Sequence, residues 1–178
     1  MKAMYKHRWA ELLVIALVIS VISLLIEIEN HAGIVLVTSL ASTALGLMIA
    51  PGAFTNSIRS VFLSYIFAMC ISVVFGFIFS YYIDEYFTNQ NLLFFTKFLV
   101  MLSATLLLFG YFDVYHPPSI GAMLTYFIDD GFSDVGLIIF VPVSVIFLLA
   151  SIKSYIYLRH PDEFKWSDFP KEFKRPPS

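Results

Sequence analysis

The sequence has too few charged residues for a water-soluble domain of its size. Only 13% of its 178 residues are charged and 59% are hydrophobic, and the mean hydropathy is +0.82. A soluble domain needs a polar surface that thirteen acidic and eleven basic residues cannot supply. The net charge of −2 provides no basic surface for nucleic acid. We therefore expect a protein whose solvent is the lipid bilayer.

Cysteine is almost absent, and catalytic motifs are missing. Cys70 stands alone in an apolar run, which excludes an intrachain disulfide and favours a small packing residue. The sequence contains no Gly-rich phosphate loop and no nucleophile constellation. Glu27, Glu29 and His31 lie close together, but their i, i+2, i+4 spacing cannot place all three on one helical face. The sequence therefore predicts no enzyme, no metal site and no cofactor.

Long apolar runs are what the sequence has in abundance. They cover residues 10–28, 34–50, 59–83, 92–112, 118–128 and 135–158, and only 118–128 is clearly too short to cross a bilayer. The first run follows basic residues and no cleavage site follows it, so it is interpreted as an uncleaved anchor. If all six runs are membrane segments, every basic residue except Lys97 lies on the cytoplasmic side. This positive-inside bias predicts a multi-pass plasma (inner) membrane protein with both termini in the cytoplasm.

A shift of about 80 residues superimposes the first three runs on the last three. Ser39 then meets Ser119, and each half has a turn-rich stretch before its middle run and a glycine-containing break after it. Because three crossings reverse direction, the halves form an inverted pair. The predicted fold is an all-α integral membrane protein of two inverted three-segment repeats, residues 10–83 and 92–158, within a transmembrane domain of residues 1–158.

The second segment of each repeat is predicted to be a short or broken helix, over residues 39–50 and 118–129. A helix of about 12 residues rises roughly 18 Å, less than a hydrocarbon core of about 30 Å. Non-helical backbone must span the rest, and lipid cannot satisfy its hydrogen bonds. The sequence therefore predicts two broken helices around a central site buried in the protein.

The tail, residues 159–178, mixes basic and aromatic side chains with four prolines and is too short for a domain. This composition is typical of a segment at the cytoplasmic headgroups. Docking of a partner protein is the alternative interpretation.

The strongest local pattern lies at residues 113–119. Two prolines there end one helix, and Pro118 suits the first turn of the next. A helix that begins near Ser119 would direct free N–H groups into the break, which favours an anion. A matching helix start at Thr38, Ser39 and Ser42 would supply hydroxyl donors from the other half.

The motif His116-Pro117-Pro118 resembles the signature of the HPP family of small integral membrane proteins. Small residues follow it, including Ser119 and Gly121, and an upstream family pattern is matched by Ala50, Pro51 and Arg59. Where the family often has Gln-Pro before that arginine and Gly-Gly-His after it, this chain has Ser57-Ile58 and Leu63-Ser64-Tyr65. The resemblance implies a membrane transporter, since plastid and cyanobacterial members are associated with nitrite transport.

The candidate substrate-binding residues are Arg59, His116, Ser39, Ser119 and Ser42. Each has a structural alternative: the histidine caps a helix, the arginine anchors a helix at the interface, and the serines bond backbone or pack.

Three further residues, Pro117, Pro118 and Gly121, are assigned to the structural motif. Asp113 and His116 form a candidate proton relay, with an interfacial position as the alternative for Asp113.

The expected function is transport of a small inorganic anion, with nitrite as the suggested substrate, through a midplane site. The alternatives are a non-transporting scaffold or sensor that binds a partner, and a passive anion channel. The expected partners are the anion and the bilayer, and the small residues on the helices are compatible with a homo-oligomer.

Overall fold

The computed structural model describes residues 16–19, 31–128 and 135–174 of the chain. This part is helical and contains no strand. Besides a helical fragment at residues 16–19, it has five α-helices: α1 (His31–Ile49), α2 (Ile58–Ile78), α3 (Gln90–Phe112), α4 (Ser119–Ile128) and α5 (Val135–Arg159). A π-helical turn, Phe79–Ile83, extends α2, and the tail contains a 3-10 helix, Trp166–Phe173.

Side-chain caps set several helix boundaries. The Ser57 hydroxyl accepts the Ser60 N–H at the start of α2, and the Asn89 side chain accepts two N–H groups at the start of α3. At the end of α1, Asn56 Nδ2 donates to the carbonyl oxygens of Gly46 and Ala50 at 2.7 and 2.9 Å. These polar side chains satisfy backbone groups that helix ends leave without partners.

Three helical segments are long and apolar enough to cross a membrane: Ile58–Tyr86, Gln90–Phe112 and Ile138–Arg159. Much of their apolar surface faces outward, as at Phe95, Leu107 and Ile139, whose residues are 60–75% exposed. Water would penalise such a surface, whereas lipid tails accept it. The length, composition and outward apolar surface of these helices are those of membrane-spanning helices.

The short helix α4 lies against both α1 and α2, and α5 packs on these two helices from another side. Leu36, Leu40 and Leu47 of α1 meet Val145 and Leu148 of α5 in the larger apolar core. A smaller apolar cluster joins α2, α3 and α4. This packing places the start of α4, directly after the predicted break, among buried residues of α1 and α2.

The predicted start of a short helix at residue 39 is wrong, because α1 runs without interruption from residue 31. Its apolar part, Ile34–Ile49, is nevertheless shorter than the three segments long enough to cross a membrane. The predicted helix start at Thr38, Ser39 and Ser42 is thus helix interior. The Thr38 and Thr43 hydroxyls bond the carbonyl oxygens four residues earlier, at 2.8 and 3.1 Å. Hydroxyl residues can bond the helix backbone in this way without ending it.

The second predicted short helix is present as α4, which has ten residues. The other predicted runs within the described residues form helices with boundaries within a few residues of those expected. Most of the run 10–28 lies outside the described residues.

Candidate functional site

The break between α3 and α4, residues 113–118, leads into the interior of the bundle. Its most buried polar side chain is His116, which is 2% exposed. Asp113 turns the chain out of α3 with a left-handed backbone, φ 49° and ψ 55°, and Val114 follows it into the core. The Tyr115 N–H donates to Ser60 Oγ at 2.9 Å, which holds the break against the start of α2.

A continuous series of hydrogen bonds begins at the His116 ring. Nε2 lies 2.8 Å from Thr43 Oγ1, which lies 2.8 Å from Tyr65 Oη, which in turn lies 2.8 Å from Ser39 Oγ. The Ser39 hydroxyl donates to the carbonyl oxygen of Pro118. All four side chains are at most 5% exposed. The series therefore links α1, α2 and the break inside the bundle.

The second ring nitrogen extends this series at its other end. His116 Nδ1 lies 2.9 Å from the carbonyl oxygen of Thr55, in the short 3-10 helix that joins α1 to α2. Because a carbonyl oxygen can only accept, Nδ1 carries the proton in this contact. We call the whole series, from the Thr55 carbonyl through His116, Thr43, Tyr65 and Ser39 to the Pro118 carbonyl, the polar chain.

Helix periodicity explains which residues of α1 join the polar chain. Ser39 and Thr43 are four residues apart and therefore lie on one face of the helix. Ser42 falls on another face and its side chain is exposed. The structure thus brings Ser39 and His116 into one cluster and leaves Ser42 outside it.

Ser119 is completely buried, but its hydroxyl donates to the carbonyl oxygen of His116 at 2.7 Å. The backbone N–H groups of residues 119–121 each donate to the carbonyl oxygen three residues earlier, at 2.9–3.0 Å. Pro117 and Pro118 have no N–H group. The prediction of free N–H groups at this helix start is therefore wrong, because a tight turn bonds the three that follow the prolines.

Arg59 lies beside the break and holds the end of α3. Nη1 donates to the carbonyl oxygen of Asp113 at 3.1 Å, and Nη2 donates to that of Phe112 at 2.6 Å. The guanidinium therefore joins the start of α2 to the last turn of α3, where carbonyl oxygens lack helical partners. The two His116 ring nitrogens lie within hydrogen-bond distance of Thr43 and of the Thr55 carbonyl oxygen.

Gly121 permits a close approach of α4 to α1. A Cβ atom on Gly121 would lie 2.8 Å from Ser39 Cβ and 3.1 Å from Ser39 Oγ. Any larger residue would push Ser39 away from the Pro118 carbonyl. Of the motif residues, Gly121 and Pro118 therefore set the geometry of the polar chain, while the Pro117 side chain is exposed.

Sequence reasoning missed Thr43, Tyr65 and the carbonyl of Thr55. The i, i+4 spacing of Ser39 and Thr43 is a signal that would have found the first. Tyr65 gave a weaker signal, as a phenol in an apolar run. Thr55 gave no signal, because it takes part through its backbone carbonyl and not through its side chain. Within the described residues, no three histidine, cysteine, aspartate or glutamate residues lie together as a metal site would require.

Comparison with known protein families, with curated proteins and with solved structures gave no match for this chain.

Proposed function

We propose that this protein is a membrane transporter of a small inorganic anion, with nitrite as the first substrate to test, and that the polar chain is its binding site. The observation that carries the proposal is the burial of an imidazole, a phenol and two hydroxyls inside an apolar helical bundle. Polar and ionisable groups at membrane depth are costly, and they commonly line substrate or ion pathways.

The chemistry of the polar chain favours an anion over a cation. Its side chains provide O–H and N–H donors, and none of them is a carboxylate. An anion that displaced one hydrogen bond of the polar chain would accept hydrogen bonds from groups that now bond one another. Arg59, at the same junction, adds a positive charge and takes no part in the polar chain.

The proposed moving element is α4 together with the break. This helix has only ten residues, and the Ser39 hydroxyl joins it to α1 through the Pro118 carbonyl. A shift of α4 would open the polar chain at this bond and expose the hydroxyls to a substrate. Transporters with discontinuous helices place their sites at such interruptions.

The proposed architecture retains six membrane segments as two inverted repeats, although α1 is continuous where the second repeat has its break. Both termini are proposed to lie in the cytoplasm of a plasma (inner) membrane, on the basis of the distribution of basic residues. The resemblance of His116-Pro117-Pro118 to the HPP family supports the transport proposal independently of the geometry.

Uptake into proteoliposomes tests this function. The wild type should take up nitrite with saturation, and His116→Gln and Tyr65→Phe should reduce the rate about tenfold, because the first removes the imidazole and the second removes the phenol hydroxyl from the site. Ser72→Ala is the matched control, since Ser72 is a buried serine of α2 outside the polar chain, whose hydroxyl contacts the backbone carbonyl oxygens of Ala68 and of Met123 in α4.

Nitrate, formate and chloride serve as competitors that identify the preferred anion. Flux that rises without saturation would instead support a passive channel. If folded protein moves none of these anions, with or without a pH gradient, the transport proposal fails and the scaffold alternative gains support.

A further inference from the structure

The polar chain contains more contacts than protons. It has five contacts in series: Thr55 to His116, His116 to Thr43, Thr43 to Tyr65, Tyr65 to Ser39, and Ser39 to Pro118. Both ends are carbonyl oxygens, which cannot donate. Each of the three hydroxyl groups has one proton, and a neutral imidazole has one. Four protons cannot fill five contacts.

With His116 neutral, one contact must therefore bring two lone pairs together. Suppose that Nδ1–H donates to the Thr55 carbonyl and Ser39 donates to the Pro118 carbonyl. The three middle contacts, His116 to Thr43, Thr43 to Tyr65 and Tyr65 to Ser39, then have only the two hydroxyl protons of Thr43 and Tyr65. The Ser39 carbonyl, 3.1 Å from Thr43 Oγ1, competes for one of these and deepens the deficit. A buried contact without a proton is unfavourable, because neither atom has water as a substitute.

We propose that the polar chain is a proton-binding site, in which one proton taken up at His116 completes every contact. As an imidazolium, His116 donates from Nδ1 to the Thr55 carbonyl and from Nε2 to Thr43. The remaining donors then point the same way, from Thr43 to Tyr65, from Tyr65 to Ser39, and from Ser39 to the Pro118 carbonyl.

Arg59 and Asp113 are the other charged residues of the junction. Arg59 of α2 donates to backbone carbonyls, whereas the His116 ring nitrogens meet Thr43 and the Thr55 carbonyl oxygen. From residue 34 to residue 49, α1 carries no ionisable side chain, and Tyr65 is the titratable group that α2 contributes to the polar chain. Burial opposes the positive charge, so protonation and binding of an anion should favour each other. This last coupling rests on the proposed function, whereas the proton site does not.

Nuclear magnetic resonance of the full chain in lipid nanodiscs, with ¹⁵N-labelled histidine, tests the proposal. Ring nitrogen shifts distinguish the neutral tautomers from the imidazolium, and His116→Gln identifies the His116 signals among the four histidines. We expect His116 in the wild type to titrate between about pH 4 and 8, with Nδ1 protonated throughout.

The decisive variant is Ser39→Ala, which does not touch the imidazole. It removes two contacts and one proton, so the remaining three contacts are filled by three protons with His116 neutral. We therefore expect proton binding to weaken about tenfold, a midpoint lower by about one pH unit, the size of one net hydrogen bond. Tyr65→Phe also removes two contacts and one proton and should have the same effect.

Ser72→Ala controls for the loss of a buried serine and should leave the His116 midpoint unchanged. The proposal is overturned if His116 stays neutral across the range in the wild type, or if Ser39→Ala and Tyr65→Phe titrate as Ser72→Ala does. A proton site with these properties in protein that moves no anion would leave this inference intact and overturn the transport proposal.

Discussion

Buried hydroxyl groups in this protein have two kinds of partner, and the difference decides the effect of removing them. Thr105 and Ser72 donate to carbonyl oxygens one turn earlier in their own helices, and their contacts on another helix are with Met123 of α4, through its sulfur and its carbonyl oxygen respectively. Ser39 and Thr43 instead contact side chains on other elements. Deleting a hydroxyl of the first kind leaves no polar side chain without its partner, whereas deleting one of the second kind leaves a buried polar side chain unsatisfied.

Thr43→Val is expected to destabilise the protein by about 1–3 kcal/mol, because it deprives His116 Nε2 and Tyr65 Oη of a contact while keeping the side-chain shape. Thr105→Val is the matched control, since both threonines are completely buried within helices, and its effect should be smaller. Thermal unfolding in detergent measures both. Equal effects would mean that the polar chain contributes no more to stability than a local backbone bond.

Gly121→Ala is expected to destabilise the protein by about 1–3 kcal/mol, since its Cβ would lie 2.8 Å from Ser39 Cβ and force α4 away from α1. Gly52→Ala is the control, because a Cβ there meets nothing within 4 Å. The same unfolding measurement applies. If Gly121→Ala is as stable as Gly52→Ala, the close approach of the two helices is not required.

At the scale of helices and loops, single polar side chains join elements that are distant in sequence. Arg59 ties the start of α2 to the end of α3, and Glu172 ties the tail to α2 and α5. The carboxylate of Glu172 accepts the Ile58 N–H at 3.2 Å, where the helix dipole favours a negative charge. Such joints fix loops that apolar packing alone would leave imprecise.

Arg59→Lys tests whether position 59 needs the guanidinium or only a charge. A lysine amine cannot reach two adjacent carbonyl oxygens as a planar fork does. We expect Arg59→Lys to lower the unfolding temperature almost as much as Arg59→Gln. Full retention of stability in Arg59→Lys would show that the positive charge alone is sufficient.

Glu172→Ala is expected to destabilise the fold by about 3 kcal/mol and release the tail. Lys153 is 2% exposed, and its Nζ lies 2.7 Å from Glu172 Oε2, so removing the carboxylate leaves a buried charge unpaired. The ring of Trp166 stacks on Tyr157, with centroids 4.9 Å apart, and its fluorescence reports the release once Trp9 is replaced. Asp168→Ala breaks a more exposed ion pair with Lys171 and should have little effect. A large effect there would show that the release of the tail is not specific to the loss of Glu172.

At the scale of the whole molecule, the long helices expose apolar surface and keep polar groups inside. Lys97 satisfies this rule by pairing with Asp84 at 2.9 Å. This arrangement is the reverse of a soluble domain, and it is typical of helices surrounded by lipid.

Cysteine labelling tests the proposed orientation. In a Cys70→Ala background, Thr88→Cys should react with an impermeant maleimide added outside intact cells, because residue 88 joins α2 to α3 on the proposed outer side. Ser167→Cys, in the tail, should react only after permeabilisation. Both side chains replaced are exposed. The reverse pattern would contradict the proposed cytoplasmic position of the tail.

The helices could be predicted from the sequence because an apolar chain in lipid must bond its backbone within each segment. The break at His116-Pro117-Pro118 was equally predictable, since proline cannot continue a helix. The supposed helix start at Thr38 was not a break, because hydroxyl groups can either end a helix or bond within it. Composition does not distinguish these outcomes.

The sequence by itself determined the helical class, the short helix α4 and the presence of His116 at the break. Only the tertiary structure decided that Thr43, Tyr65 and Ser39 join His116, that Ser42 does not, and that Arg59 holds a helix end. The reason is physical: helix formation depends on neighbours within four residues, whereas the partners of a buried polar group come from whichever helix packs against it.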